Sequence, residues 1–171
     1  SLDWITNGNY VLGVGLGYRP EEFEALGVEF EQRVSRFEEA IPLIRRLWNE
    51  KSVTHHGRHF NISGLGASIK PKRAGGPPIW VGGDVIAAVQ RAAKLNCPWI
   101  APPTMTFREI VERVEVYRKI SAEISSNSVN EQPIIREVAI GKTKADALRA
   151  ARPALLSKYE AYASWGQTAT K

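Results

Sequence analysis

The sequence predicts an α/β protein built on a parallel sheet, and two observations carry this prediction. Short apolar segments bounded by glycine or proline occur four times, and each is followed by a loop and an amphipathic helical segment. This alternation is typical of parallel strands joined by right-handed crossovers. The pattern alone leaves open whether the sheet is open and doubly wound or closed as a barrel.

The composition predicts a folded protein with a substantial core. The 171 residues are 43% hydrophobic and 24% charged, and we expect one domain over residues 1–171. The net charge of +5 would suit an acidic partner, but the Lys and Arg residues alternate with acids, which argues against nucleic-acid binding. The single cysteine excludes an internal disulfide. We expect a cytoplasmic protein with no membrane segment, because no apolar run approaches about 20 residues and the N-terminus is unlike a signal peptide.

The first predicted strand covers residues 10–17 and carries glycine at alternate positions. Alternation places Gly13, Gly15 and Gly17 on one face of the strand. A glycine face leaves room for a ligand or for a crowded sheet or barrel interior, and the sequence does not choose between the two.

Helices are predicted on both sides of this strand. Residues 2–5 look like the end of a helix closed by a turn at 6–9, so we expect an element before it. Residues 20–27 form a short helix with Pro near its start and Gly at its end. Residues 31–48 form a longer amphipathic helix, which we expect Pro42 to kink or restart.

Residues 53–62 predict a β-hairpin that turns at 56–58 and holds all three histidines. No Cys, Asp or Glu lies at a ligand spacing from them, so we predict no metal site. The basic residues 70–73 that follow are interpreted as a solvated loop.

Residues 77–83 predict a buried strand that enters a helix at 87–94 through Gly82 and Gly83. Such a turn lets backbone N–H groups and a helix N-terminus approach an anion, usually a phosphate. A glycine pair also serves close packing of a helix against a strand, so the turn alone does not establish a phosphate site.

The remaining chain continues the alternation. A strand at 97–101 and a loop at 102–104 lead to a helix at 107–124 capped by Thr106. A polar linker at 125–128 leads to a fourth strand at 133–141. Thr143 caps a last helix that extends past Pro153 to residue 165. In parallel α/β folds ligands bind at the carboxyl ends of the strands, where loops 17–19, 82–84 and 102–104 should converge.

The order and spacing of these motifs resemble the bacterial luciferase-like monooxygenase family. The similar segments are 10–27, 33–48, 56–60, 77–83, 135–138 and 158–167. The resemblance implies a (β/α)₈ TIM barrel that uses FMN, or alternatively the deazaflavin F420, to oxidise a small organic substrate. It implies that this chain supplies strands four to seven, and that the catalytic residues, unknown here, lie in missing N-terminal strands.

The resemblance also implies cofactor-binding positions. It places the flavin phosphate at Gly82, Gly83 and Asp84, and the rest of the pocket at Gly15, Gly17, Tyr18 and Arg19. A carboxylate beside a phosphate is repulsive, so Asp84 must point away or cap the helix. Arg19 is expected either to pair with the phosphate or to form a surface ion pair with Glu22.

Two other hypotheses remain at this stage. A truncated, catalytically incomplete relative would complete its barrel by association, because four strands leave two open edges and two copies would close eight strands as a homodimer. An open flavodoxin-like domain would need a glycine-rich phosphate loop after its first strand. Gly13, Gly15 and Gly17 lie inside the predicted strand instead, so this hypothesis ranks last.

Overall fold

The computed structural model describes residues 1–124 and 131–166. In chain order the elements are α1 (Leu2–Ile5), β1 (Leu12–Val14), α2 (Pro20–Ala25), a 3-10 turn (Phe30–Gln32), α3 (Arg33–Asn49), β2 (Val53–His56), β3 (Asn61–Leu65), β4 (Ile79–Gly82), α4 (Ile86–Lys94), β5 (Trp99–Ile100), α5 (Phe107–Ile124) and α6 (Lys144–Ser164).

The central sheet has three strands in the order β1-β4-β5, all parallel. Gly13 pairs with Trp80, and Val81 pairs with Trp99. Each strand leads into helical structure before the next strand of this sheet begins, so the parallel α/β architecture predicted from the alternation is confirmed.

One face of the sheet is buried under helices and forms the core. Ile79 and Val81 of β4 and Trp99 of β5 point to this side and pack with Val89 of α4 and Tyr117 of α5. These five side chains are at most 3% exposed, and the Tyr117 hydroxyl donates a 2.9 Å hydrogen bond to the Cys97 carbonyl. Apolar burial on this face therefore fixes the strands that carry the loops described below.

The predicted fourth strand at 133–141 is reduced to a single parallel bridge. Ala101 bridges to Ile134, with backbone hydrogen bonds of 3.0 Å on each side, from Ala101 to Pro133 and from Ile135 to Ala101. Residues 138–141 beyond the bridge are exposed. The prediction of a full strand was wrong for the described residues, because the segment leaves the sheet edge after one residue pair.

The long helices largely follow the sequence pattern. Helix α5 has the predicted bounds, and the Thr106 side chain accepts the Glu109 N–H at 3.3 Å. Thr143 caps α6, which passes through Pro153. Pro42 likewise lies inside a single continuous α3 rather than at a restart, with Ile41 and Leu43 beside it buried.

Strands β2 and β3 form the predicted antiparallel hairpin, which α3 holds through the Glu39 carboxylate. Glu39 accepts hydrogen bonds from His55 Nε2 and the Phe60 N–H, both at 2.9 Å, and from the His59 N–H at 3.0 Å. Burial opposes ionisation, but these hydrogen bonds outweigh it and lower the pKa of Glu39 to about 2.

The histidines of the hairpin serve its structure. His55 contacts Glu39, and His59 Nε2 lies 2.8 Å from Ser35 Oγ on α3. His56 Nδ1 lies 2.5 Å from Asn61 Oδ1 across the hairpin. Among residues 1–124 and 131–166, no group of three or more His, Cys, Asp or Glu side chains is placed to hold a metal ion.

Two other predictions concern the ends of helices and the membrane. The polar linker predicted at 125–128 lies outside the described residues. Helix α1 ends in a turn where Asn7 and Gly8 have φ of 57° and 83°, as expected for a turn that closes a helix. None of the helices in the described part is both long and apolar enough to span a bilayer.

Candidate functional site

A cavity of about 550 Å³ lies at the carboxyl ends of the three parallel strands. This volume is within the usual range for small-molecule and cofactor sites. Three loops form most of its wall, each following one strand, and further residues come from α3, α4 and α6. The lining residues are 15–18, 82–85 and 102–104, with Arg33, Ala88 and Tyr162.

The convergence predicted from strand direction is therefore present in the structure. Six of the seven positions implied by the resemblance line the cavity, namely Gly15, Gly17, Tyr18, Gly82, Gly83 and Asp84. The seventh, Arg19, does not. Its Nη1 lies 3.2 Å from Glu22 Oε1, and its guanidinium lies 5.0 Å from the centre of the Trp165 ring. The surface ion pair that was the alternative for Arg19 is formed, and a role in cofactor binding stays a prediction.

The glycines in the cavity wall are required for different reasons. Gly17 has a φ of 78°, and a Cβ there would lie 2.9 Å from the Phe23 ring. At Gly83 a Cβ would lie 2.5 Å from the Ala88 Cβ, so this glycine lets α4 pack tightly against the turn after β4. Gly15 differs from both, because no heavy atom of the described residues outside its chain neighbours lies within 4 Å of a Cβ built there. Local sterics therefore do not require glycine at position 15.

The turn between β4 and α4 presents both favourable and unfavourable groups to an anion. The first backbone N–H groups of a helix have no acceptor within the helix and attract negative charge. Asp84 is exposed, and its backbone carbonyl accepts a 3.0 Å hydrogen bond from Arg113 Nε. The N-cap residue of α4 is Val85, with no side-chain cap bond, so Asp84 does not cap the helix.

Arg33 brings a positive charge to the cavity wall. Its Nη1 donates a 2.8 Å hydrogen bond to the Phe30 carbonyl, and the guanidinium carbon lies 3.8 Å from the centre of the Phe30 ring. Phe30 in turn packs edge-on against Phe23 at 5.1 Å. Across residues 1–124 and 131–166, Arg33 forms no ion pair within 4.0 Å. The guanidinium is thus held in place without its charge being neutralised.

Aromatic side chains connect the cavity to α6. Tyr18 and Tyr162 line the cavity, and the Trp165 ring lies 6.3 Å from the first and 6.0 Å from the second. One turn earlier on α6, Lys158 Nζ lies 2.5 Å from the Glu137 carboxylate. This hydrogen bond raises the pKa of Lys158 and lowers the pKa of Glu137. Helix α6 therefore contacts the rest of the described chain through aromatic rings and one ion pair rather than through buried residues.

Arg33 and Tyr162 were missed by the sequence reasoning. Arg33 was assigned to the polar face of a helix, where its charge carries no information about a pocket. Tyr162 lies 144 residues after Tyr18, and only the tertiary fold brings the two residues to one cavity. The run Phe30-Glu31-Gln32-Arg33, with an aromatic ring three residues before an arginine, could have drawn attention to Arg33.

Parallel strands whose carboxyl ends meet at one cavity define an α/β protein, and the solved structures that share this fold are luciferase-like enzymes of the TIM-barrel type. Monooxygenase RslO1 from Streptomyces bottropensis has this fold, with a TM-score of 0.83 at 22% identity over 95% of this chain and 50% of that one. An F420-dependent secondary alcohol dehydrogenase, solved with an F420-acetone adduct, matches with a TM-score of 0.72 at 18% identity over 88% of this chain and 46% of that one. The family profile described as luciferase-like monooxygenase matches residues 1–170, and the chain belongs to this family.

Curated relatives agree with this assignment. A phthiodiolone/phenolphthiodiolone dimycocerosates ketoreductase from Mycobacterium kansasii is 28% identical over 149 residues, which are 85% of this chain and 40% of that protein. An FMNH(2)-dependent dimethylsulfone monooxygenase from Pseudomonas fluorescens is 32% identical over 99 residues, 56% of this chain and 27% of that protein. The chain thus spans less than half the length of these relatives.

Proposed function

We propose that this chain forms the cofactor-binding part of a flavin-dependent oxidoreductase, with FMN as the cofactor and the deazaflavin F420 as the alternative. The observation that carries the proposal is the cavity at the strand ends, where Gly15 keeps a space that no described side chain fills. The relatives named above use FMNH(2) in one case and F420 in another, within a family to which this chain belongs.

The cavity suits such a cofactor in size and in chemistry. Gly15 and the turn at Gly82 and Gly83 would let a ligand approach the backbone, and the N-terminus of α4 favours a phosphate there. Tyr18 and Tyr162 offer aromatic surface to a planar ring. Asp84 opposes an anion at this turn, and we propose that its exposed carboxylate points into solvent when a phosphate is bound.

A bound reduced flavin or deazaflavin would supply the redox chemistry, and the protein supplies binding and orientation. The described residues of this chain contribute the part of the pocket wall formed by the loops after β1, β4 and β5 and by Arg33, Ala88 and Tyr162. We propose that they correspond to strands four to seven of the barrel and that acid and base groups for a small organic substrate come from the remaining strands. A homodimer that closes two half barrels is the alternative by which this chain would complete its own pocket.

The test of the proposal is flavin binding by the 171-residue chain. FMN and F420 are titrated separately while the quenching of cofactor fluorescence is followed, and the protein is passed over a sizing column with light scattering. We expect one of the two cofactors to bind and to elute with the protein. The mass then shows whether a monomer or a dimer holds it.

A matched pair of glycine variants ties binding to this cavity. Gly13 and Gly15 lie two residues apart on β1 and its C-terminal extension, and a Cβ at either meets no described heavy atom within 4 Å. Only Gly15 lines the cavity. We expect Gly15→Val to weaken cofactor binding by about tenfold or more, equivalent to about 1.4 kcal/mol, and Gly13→Val to leave it unchanged. Equal effects of the two variants, or no binding of either cofactor, would reject the proposal and favour a catalytically incomplete relative.

A further inference from the structure

Arg33 is the positively charged residue of the cavity wall, and the flavin proposal as first drawn from the sequence gives it no role. Arg19 was the cation expected from the sequence to pair with the phosphate. In the structure Arg19 forms an ion pair with Glu22 and lies over the Trp165 ring. A ligand in the cavity would therefore meet its cation at Arg33.

The surroundings of Arg33 hold its side chain in a defined position. One guanidinium nitrogen donates to the Phe30 carbonyl at 2.8 Å, and the planar group lies 3.8 Å from the centre of the Phe30 ring. Phe30 is itself supported edge-on by Phe23, which lies beneath Gly17 of the cavity wall. An arginine that is already ordered loses less conformational entropy when it binds a ligand.

The charge of Arg33 is also not cancelled by its neighbours. Arg33 lies within 4.0 Å of no carboxylate in residues 1–124 and 131–166, and it is the one arginine among the described residues that line the cavity. Its hydrogen bond to Phe30 uses one of the five guanidinium N–H groups, and the others suit the oxygens of a phosphate. Asp84 adjoins the turn at Gly82 and Gly83, so a phosphate bound near that turn would be stabilised by a cation in the wall of the same cavity, and Arg33 is that cation.

We propose that Arg33 binds the phosphate group of the ligand that occupies this cavity. The proposal rests on the proposed function in that the ligand is a flavin nucleotide, and the phosphate is then that of FMN or F420. A phosphate-bearing substrate would present the same chemistry, and the experiment below separates the two sources.

The experiment compares FMN with riboflavin, which has the same ring and no phosphate. Both are titrated at low ionic strength into the wild-type chain and into Arg33→Met and Arg33→Gln, with quenching of flavin fluorescence as the readout. Methionine keeps a long side chain packed on Phe30, and glutamine keeps a hydrogen-bond donor for its carbonyl. Because two differently packed neutral variants are used, the measurement remains possible if one of them fails to fold.

We expect wild type to bind FMN more tightly than riboflavin and both neutral variants to lose about 10- to 100-fold of FMN affinity with riboflavin unchanged. Arg36→Gln is the matched control, because Arg36 lies on the same helix over another phenylalanine ring, Phe60, at 5.2 Å and does not line the cavity. It should keep the full preference for FMN.

A second measurement decides the proposal independently of flavin binding. Inorganic phosphate is added at increasing concentration, and the rise in melting temperature is compared between wild type and the two neutral variants. A rise lost in both variants supports phosphate binding by Arg33 even if wild type binds no flavin. If both variants lose the rise in melting temperature but still bind FMN more tightly than riboflavin, the phosphate that Arg33 binds belongs to a substrate. Variants that match wild type for both FMN preference and the response to phosphate would overturn the proposal.

Discussion

Two parts of the cavity wall differ in how they are attached to the core. One part consists of the loops after β4 and β5, and the other is Tyr162 on α6. The loops after β4 and β5 follow strands whose side chains Val81 and Trp99 are 1% exposed in the core. Tyr162 lies on α6, which has no buried residue over its 21 positions and contacts the rest through Trp165 at its C-cap, which lies against Tyr18 and Arg19, and through the Lys158–Glu137 ion pair. The side of the site formed by the loops after β4 and β5 therefore shares the stability of the whole fold, whereas the side formed by α6 can open locally.

Removal of one tryptophan from each region tests this comparison with the largest expected effect. Trp99 is 1% exposed and donates a 2.8 Å hydrogen bond to the Gly83 carbonyl, whereas Trp165 is 42% exposed. We expect Trp99→Ala to lower the free energy of unfolding by about 3–5 kcal/mol and Trp165→Ala by less than about 1 kcal/mol. Urea unfolding followed by far-ultraviolet circular dichroism measures both. Similar losses would show that α6 is part of the same cooperative core.

The glycine turn after β4 provides a second test, of how rigid the part of the cavity wall after β4 is. A Cβ at Gly83 would lie 2.5 Å from the Ala88 Cβ, at a φ of 151°. We expect Gly83→Ala to cost about 1–3 kcal/mol because α4 must shift away from β4. At Gly82 the nearest atoms would be 3.6 Å away, so Gly82→Ala should be neutral or stabilise the fold by up to about 1 kcal/mol. A neutral Gly83→Ala would mean that α4 moves easily against the sheet.

The same division between regions explains what the sequence could predict. Hydrophobic periodicity and capping residues predicted α5 to its bounds and the positions of the parallel strands, because these elements are stabilised by their own pattern and by burial. The strand predicted at 10–17 is formed only over Leu12–Val14, so Gly15 and Gly17 lie in the loop that follows it and not within the strand. The strand at 133–141 was predicted as a short apolar segment bounded by proline and glycine, and it is formed only at Ile134. Strand formation depends on a neighbouring strand, which a local pattern does not contain.

The candidate site was predictable to a similar extent. Strand direction alone places residues 15–18, 82–85 and 102–104 at one end of the sheet, and the structure brings them to one cavity. That Arg33 rather than Arg19 lines the cavity was not predictable, because both arginines lie at helix starts with a partner three residues away, and only the tertiary fold decides which of them reaches the cavity. The place of Tyr162 depends on the position of α6, which is determined by contacts between residues far apart in the sequence, such as Tyr18 with Trp165.

The smallest expected effect concerns the ion pair that helps to hold α6. Lys158 Nζ and the Glu137 carboxylate are 2.5 Å apart and partly exposed to solvent, so the pair is worth no more than about 1 kcal/mol. We expect Lys158→Met to raise the hydrogen-exchange rates of α6 amides by up to about fivefold and to leave the global stability nearly unchanged. Lys144→Met is the control, because Lys144 lies at the start of the same helix and forms no ion pair within the described ranges.

The pH dependence of this local opening follows from the same ion pair. The pKa of Glu137 is lowered by Lys158, so its contribution is complete above the unfolded-state value and is lost as the pH falls through the lowered pKa. The pKa of Lys158 is raised by Glu137, so its contribution is complete below the unfolded-state value and is lost as the pH rises through the raised pKa. Exchange rates of α6, divided by the intrinsic rates, should therefore be constant near neutral pH and rise in acid and in strong base. A Lys158→Met protein with unchanged α6 exchange would show that the aromatic contacts of Tyr18, Tyr162 and Trp165 hold the helix without the ion pair.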